Sequence, residues 1–282
     1  MGDLLQIIEK LSGLFFVGGS MLATGLRLAP QSLLDPLRDL RLVALAIGLN
    51  FVLAPAFAWS LAKVMPLDHG FAIGLLLLGG AAGAPFLPML VEAAHGNLPL
   101  AAALLALLTA GTILFLPFAL PILVDGVEAN PWKIARPLLL LVAAPFAGGL
   151  VIRSRAPAFA ARTARVVGKI ANASLLLLFV LLVAKNFRSL LGLPGSGAVA
   201  VTVLYTVGLF AAAWFAGGGV RGTRDVLGLA TGARNFGAAL VPADGIGGPK
   251  AVLMIVVAAI VTLVLSFLAV GRMRRRAEAI AA

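Results

Sequence analysis

The chain has 282 residues, of which 61% are hydrophobic and 12% are charged, and its mean hydropathy is +1.09. A soluble domain is ordinarily about half apolar and about a quarter charged, so this composition excludes a soluble globular protein. The absence of cysteine excludes disulfides and thiolate metal sites, and two histidines leave little room for a histidine metal centre. The net charge of +11 is therefore assigned to basic segments beside a membrane, and no nucleic-acid partner is expected.

Apolar stretches of about 20 residues, the length that crosses the hydrocarbon core of a bilayer, recur along the whole chain. They predict an all-α polytopic membrane protein with about nine spans and short connections, in one transmembrane domain over residues 1–282. The predicted spans are 7–27, 41–62, 70–92, 98–121, 132–152, 167–187, 197–217, 226–243 and 250–271. The first is not expected to be a cleaved signal peptide, because Glu9 and Lys10 precede its apolar core.

Basic residues are distributed unevenly between the two sets of span ends. Of the 22 lysines and arginines, fourteen lie on one side, seven lie on the other, and Arg234 lies within a span. The fourteen are Arg27, Arg38, Arg41, Arg153, Arg155, Arg162, Arg165, Lys169, Arg221, Arg224, Arg272, Arg274, Arg275 and Arg276; the seven are Lys10, Lys63, Lys133, Arg136, Lys185, Arg188 and Lys250. Because basic connections stay in the cytoplasm, a bacterial-type inner membrane protein with an outside N-terminus and a cytoplasmic C-terminus is predicted. Residues 153–169 are predicted to form a cytoplasmic loop beside anionic lipid headgroups.

Glycine and proline interrupt the third and eighth predicted spans near the middle of the membrane. The third contains GGAAGAPFLP at residues 79–88, and the eighth contains GLATGARNFG at residues 228–237 followed by Pro242. Non-helical backbone at this depth requires protein or a water-filled cavity around it, and paired interruptions indicate a transporter binding site. We predict inverted repeats at about 7–121 and 167–271, with a connector helix at 132–152. The alternative is that the small residues only permit close helix packing.

Arg234 is the most informative polar residue, because no acidic residue follows Asp225 in its span. An arginine within a bilayer is costly and marks a functional site by default, with a carboxylate, sulfonate or phosphate as its natural guest. The alternatives are that Arg234 snorkels to the surface or donates only to carbonyls of the broken helix. Asn235 and Asn50 are further candidates, with bonding between helices as the alternative. Thr231 carries less weight, because threonine often bonds to its own helix.

The sequence contains no recognisable catalytic or metal-binding constellation. No serine is combined with a buried histidine and an acid in a known order, and there is no glycine-rich phosphate loop ending in lysine. We therefore expect no enzymatic activity, catalytic residue, metal or cofactor.

At the two interrupted spans the chain resembles the bile acid:sodium symporter family, whose members carry organic anions. Gly79–Pro88 stands at a Gly-Cys-Cys-Pro-Gly-Gly-Thr-Ala-Ser-Asn-like stretch of the family, and Ala230–Asn235 stands at its Glu-x-Gly-x-Gln-Asn motif. Met21–Leu26, and Asn50 followed by Pro55 and Trp59, match further stretches. The resemblance implies two crossed, interrupted helices in a core domain that moves against a panel domain. The candidate substrate-binding residues are Arg234, Asn235, Thr231, Asn50, Pro85, Phe86, Leu87 and Pro88.

The chain departs from the family at the positions that bind sodium there. For the first sodium site, those positions are here Leu87, Pro88, Ala101, Leu105 and Ala230. None of these side chains carries an oxygen, and the glutamines of the second site are replaced by Asn50 and Arg234. We therefore expect a secondary transporter for a small, partly apolar organic anion, without two-ion sodium coupling, in which Arg234 substitutes for the cation. The alternative is a membrane receptor or sensor on a symporter-like scaffold that does not transport. Membrane lipids are the other expected partners, and the oligomeric state is left open.

Overall fold

The computed structural model describes residues 2–28, 36–124, 131–185, 193–218 and 221–281, and these residues are almost entirely helical. The last element, Phe236–Ala281, is divided at Gly248, whose φ of 63° and ψ of −160° are not helical. The helices are α1, Gly2–Arg27; α2, Leu40–Val64; α3, His69–Gly80; α4, Leu87–Ala93; α5, Leu98–Leu123; α6, from Pro131 to Arg155; α7, Pro157–Lys185; α8, Ala198–Ala216; α9, Arg221–Gly232; α10, 236–247; and α11, 249–281.

Among the described residues, seven helical segments are long and apolar enough to cross a membrane. They are α1, α2, α5, α6, α7, α8 and a segment from Gly245 to Arg276 that is mostly α11. Large apolar side chains cover their outer surfaces; Ile122 is 82% exposed and Val264 is 55% exposed. In a bilayer these side chains contact lipid, so the predicted all-α multi-pass membrane protein is confirmed.

The third and eighth predicted spans are both interrupted in the structure. The helix α3 ends at Gly80 and α4 begins at Leu87, so residues 81–86 separate them. The helix α9 ends at Gly232 and α10 begins at Phe236. The predicted positions of both interruptions are therefore confirmed, and each falls where glycine or proline weakens a helix.

Two of the long helices are continuous but contain one widened turn each. These π-helical turns, at Leu49–Leu53 in α2 and Leu139–Ala143 in α6, are both followed by an alanine and a proline. A proline lacks the amide that would bond four residues back, and its ring pushes that carbonyl away, so the preceding turn opens. The turn in α2 contains Asn50 and brings this buried amide to the centre of the fold.

The helices α1, α6 and α7 pack against one another and form a three-helix layer beside the remaining helices. The closest approach is between α1 and α6 at Gly25 and Gly149. A side chain at Gly25 would overlap the carbonyl oxygen of Phe146, and one at Gly149 would lie 2.6 Å from that of Leu22. Glycine at both positions therefore allows the two backbones to touch.

The prediction of a loop at residues 153–169 is wrong. Helix α6 continues to Arg155 and α7 begins at Pro157, so only Ala156, with φ of −139°, separates them. Proline is well suited to the first position of a helix, and the Nη1 of Arg153 donates to the carbonyl of Pro157 at 3.1 Å. The basic residues of this stretch are thus carried on helices that extend past their apolar segments. The predicted end of the sixth span, at residue 187, and Arg188 lie outside the described residues.

Candidate functional site at the helix crossing

The broken ends of α3 and α9 meet at one place, called the helix crossing below, and are joined by hydrogen bonds from one interruption to the other. The backbone N–H of Asn235 donates to the carbonyl of Ala81 at 2.9 Å. The Nε of Arg234 donates to the carbonyl of Leu78 at 2.9 Å, and its Nη2 donates to that of Gly79 at 2.6 Å. The last carbonyls of a helix have no donor within the helix, so the second interruption supplies donors that the first one lacks.

Arg234 is almost completely buried, with 1% of its surface exposed. Its Nη1 makes two further hydrogen bonds, to Oδ1 of Asn50 at 2.8 Å and to the carbonyl of Thr231 at 3.4 Å. In the part of the chain that the structure describes, no carboxylate lies within salt-bridge distance of the guanidinium. The positive charge is instead placed at the C-terminal end of α3, which carries a partial negative charge. Arg234 thereby connects α2, α3 and α9.

Asn50 and Thr231 complete this network of hydrogen bonds. Both residues were predicted as candidates from the sequence. The Nδ2 of Asn50 donates to the carbonyl of Ala46 at 3.0 Å and to Oγ1 of Thr231 at 3.1 Å. Every polar atom of the Asn50 side chain therefore has a partner, although the residue is fully buried. A satisfied buried network of this kind fixes the relative positions of its helices.

Residues 81–86 of the first interruption are held by Thr112 of α5. The N–H of Ala82 donates to the Thr112 hydroxyl at 2.8 Å, and this hydroxyl donates to the carbonyl of Ala82 at 3.0 Å. Gly83 then turns the chain with φ of 78°, and a Cβ there would lie 2.6 Å from Oγ1 of Thr109. Glycine is required at this position both by its φ and by the close approach of α5. The Thr109 hydroxyl itself is buried and has no hydrogen-bond partner.

The side chain of Asn235 has one hydrogen-bonded polar atom and one polar atom without a partner. Its Oδ1 accepts a hydrogen bond from the N–H of Ala238 at 3.0 Å and so caps α10, whereas its Nδ2 is buried without a partner. Beside it, the rings of Phe86 and Phe236 stack with centroids 5.7 Å apart. The next residue, Gly237, faces Val17 of α1. The site therefore offers a free amide donor, next to aromatic rings, at the boundary with the three-helix layer.

The other candidates lie around the first interruption. Pro85 and Phe86 are half-buried in the interruption, and Leu87 and Pro88 form the first turn of α4. Four of the positions that correspond to sodium ligands in the resembled family, Leu87, Ala101, Leu105 and Ala230, lie in one buried apolar cluster. The fold thus brings these positions together, but it brings together side chains that cannot bind a cation.

Sequence reasoning missed the backbone acceptors at the crossing and one buried tyrosine of α8. The acceptors for Arg234 on α3 are backbone carbonyls, which every residue type possesses, so no sequence signal identifies them. Tyr205 was also missed, although it is the chain's only tyrosine and lies within an apolar span. It is 2% exposed, its hydroxyl donates to the carbonyl of Ala54 at 3.3 Å, and its ring stacks on Phe57. The isolated phenol in an apolar stretch was the available signal.

Long apolar helices combined with two crossing interruptions define a multi-pass membrane protein of the kind found among secondary transporters. Residues 13–193 match the model of the sodium bile acid symporter family, so the chain belongs to this family. Members of the family are transporters rather than enzymes, and the chain is a membrane transporter of the bile acid symporter type. The matched residues include the first interruption but end before the second. No curated protein matches the chain.

Proposed function

We propose that this protein moves a small organic anion across the inner membrane by alternating access, without coupling to two sodium ions. The observation that carries the proposal is the buried, fixed positive charge of Arg234 at the helix crossing, which no described carboxylate neutralises. A charge at such a depth is retained when it serves a site, and here the complementary ligand is an anion.

The architecture supports the movement that this function requires. When α3 with α4 and α9 with α10 are each counted as one interrupted span, the seven long helices complete a set of nine. The first repeat then contains α1 to α5, α6 is the connector, and the second repeat contains α7 to α11. The three-helix layer would act as the panel domain and the other helices as the core domain. With the basic helix ends in the cytoplasm, the N-terminus is outside and the C-terminus inside.

Arg234 takes the place that a mobile cation would need. Carbonyl and amide oxygens are ligands of hard cations, and three of them, from Leu78, Gly79 and Asn50, are already bound by its guanidinium. The positions of the first sodium site are apolar and packed against one another. A tethered cation that neither enters nor leaves makes sodium binding unnecessary for closing the crossing. Transport could then be proton-linked, exchange-based or facilitative, and the lack of acidic residues in the interior of the predicted spans favours the last two modes.

The substrate would contact Asn235 rather than Arg234. The nitrogens of Arg234 already donate four hydrogen bonds to protein atoms. The unpartnered Nδ2 of Asn235 can donate to an anionic oxygen, and the N-terminus of α10 favours negative charge at the same place. Arg234 contributes its charge through the low-dielectric interior. Phe86 and Phe236 provide an apolar surface for the rest of the molecule. The substrate class is therefore a carboxylate or sulfonate with an apolar body.

The test is a thermal-shift screen of the purified protein against small carboxylates and sulfonates, in choline buffer and in sodium buffer. We expect some of these anions, and not their amides, to raise the melting temperature equally in both buffers. The Asn235→Asp variant should lose this effect, because it retains the capping oxygen but replaces the amide donor by a negative charge. Asn97→Asp is the matched control, since Asn97 caps α5 through its bond from Leu100 N–H far from the crossing.

Three outcomes would contradict the proposal. A strict requirement for sodium would exclude the tethered-cation role of Arg234. Equal binding by wild type and Asn235→Asp would remove Asn235 from the site. A stabilising anion that shows no counterflow in proteoliposomes would favour the receptor alternative over transport.

A further inference from the structure

A cavity with charged residues in its wall lies at one end of the core, away from the helix crossing. Its volume is about 730 Å³. It is formed by the end of α4 with the following turn, the first turns of α9, and the end of α11. By the distribution of basic residues this end of the protein faces the cytoplasm.

The wall of the cavity is mostly apolar, and two arginines are among its polar residues. Arg224, Arg276 and His95 contribute to its wall, and Asp225 is its one acidic residue in the described part of the chain. The carboxylate of Asp225 accepts a hydrogen bond from Nε1 of Trp214 at 2.8 Å. A smaller adjoining cavity shares Arg276 and adds Arg272. The local excess of positive charge therefore favours an anionic ligand.

Arg224 is held in place by an aromatic ring, but its side chain has an N–H donor without a hydrogen-bond acceptor. Its guanidinium lies over the ring of Trp214, with 4.2 Å between Cζ and the ring centroid. Its Nε is buried and has no hydrogen-bond partner, and no described carboxylate is within salt-bridge distance. Leaving a buried N–H without an acceptor costs free energy, so such a group in a native structure requires an explanation. Stacking orders the guanidinium plane, and the donors around its edge remain for a ligand.

We propose that this cavity binds a phosphate group, with Arg224 and Arg276 as its cationic contacts. Guanidinium groups match the oxygens of phosphate in paired hydrogen bonds, and Arg224 stands in the first turn of α9, whose N-terminus also favours an anion. Trp214 and the exposed Phe215 line the smaller adjoining cavity, and aromatic side chains favour the membrane interface, where a lipid phosphate lies. A free cytoplasmic phosphate has the same chemistry.

The experiment compares Arg276→Gln with Arg275→Gln. Both arginines are exposed on α11 and carry the same charge, but only Arg276 lines the cavity. Binding of inorganic phosphate and of pyrophosphate to the detergent-purified full chain is measured by calorimetry. In a second arm, native mass spectrometry measures how much phosphatidylglycerol is retained, with phosphatidylcholine as the reference lipid.

We expect Arg276→Gln to weaken phosphate affinity, or to reduce phosphatidylglycerol retention, about tenfold, and Arg275→Gln to change either by less than about twofold. Arg224→Lys should also weaken binding, because lysine keeps the charge but loses the planar fork. Loss in the first arm identifies a soluble phosphate ligand, and loss only in the second identifies a lipid. Equal effects of the two glutamine variants, or no binding in either arm, would overturn the proposal. Failure of organic-anion transport would leave this result unaffected, since the crossing is not involved.

Discussion

Arg234 and Arg224 lie near opposite ends of α9, and they differ in how many of their N–H donors are already bonded to protein. Arg234 is buried and donates four hydrogen bonds to Leu78, Gly79, Asn50 and Thr231. Arg224 is stacked on Trp214 with a buried Nε that has no acceptor. Arg234, which stands out in the sequence because it lies within an apolar span, is already hydrogen-bonded to protein. Arg224, which resembles an ordinary basic residue at the end of a span, has an N–H donor without an acceptor.

The same distinction holds for the uncharged groups at the crossing. Thr112 and Thr109 are one turn apart on α5 and both are fully buried, yet only Thr112 has partners. Depth and residue type therefore do not determine what a polar group does. The role of a polar group depends on which of its donors and acceptors lack a partner, because water cannot pair with them inside a membrane.

Replacing Arg234 by alanine should have the largest effect on stability. The change leaves the acceptors of Gly79 and Asn50 without their donor, while the carbonyl of Leu78 keeps only its bond from Ala81 N–H; each buried group left unpaired costs about 1–3 kcal/mol. We expect the free energy of unfolding to fall by roughly 3 kcal/mol or more, measured by denaturant unfolding in detergent micelles. Arg234→Lys should recover only part of this loss, because an ammonium group cannot reach all three acceptors in one plane.

A further measurement tests whether the crossing requires a cation of this shape. Low millimolar guanidinium should raise the melting temperature of Arg234→Ala and leave that of the wild type unchanged. A variant that melts at the wild-type temperature without any addition would show that the four hydrogen bonds contribute nothing.

The pair Thr112→Val and Thr109→Val should show an intermediate effect. Valine has nearly the shape of threonine, so the substitution mainly removes the hydroxyl. At position 112 two bonds to Ala82 are lost, and we expect a loss of about 1–3 kcal/mol. At position 109 an unpartnered hydroxyl is removed, so stability should be unchanged or slightly higher. Similar losses for both variants, in parallel unfolding curves, would contradict this assignment.

The ion pair between Asp68 and Lys250 should have the smallest effect. Their atoms Oδ2 and Nζ are 2.6 Å apart, and the side chains are 42% and 60% exposed. The hydrogen bond from Lys250, aided by that from Gly70 N–H, lowers the pKa of Asp68 below its ordinary 3.8. A lowered pKa stabilises the fold above pH 3.8, and this contribution disappears as the pH falls through the lowered pKa.

Lys250→Gln should therefore reduce the free energy of unfolding by less than about 1 kcal/mol at pH 7. The difference from the wild type should be constant down to about pH 4 and should shrink below it. Melting curves over this pH range measure it. A difference that grew on acidification would have the wrong sign.

The sequence predicted more of the fold than of the site. Spans 41–62 and 98–121 lie within α2 and α5, and the interruptions fall at the predicted glycines and prolines. The basic stretch at 153–169 was assigned to a loop because charge was taken as the end of a helix, whereas both helices extend beyond their apolar parts. The structure brings Arg234, Asn50 and Thr231 together, but their substrate-binding role stays a prediction, and the carbonyl partners of Arg234 have no sequence signature. Arg224 was used only as an indicator of orientation.

The contact between Gly25 and Gly149 restricts how the three-helix layer could deform. With no side chain between them, the backbones of α1 and α6 are in direct contact. One helix could slide along the other only if the two first moved apart. We therefore expect α1, α6 and α7, which pack on one another, to move as one rigid body. In the proposed transport cycle, displacement would therefore be concentrated at the surface where Val17 meets Gly237, and a bulkier residue at Gly25 or Gly149 would push α1 and α6 apart.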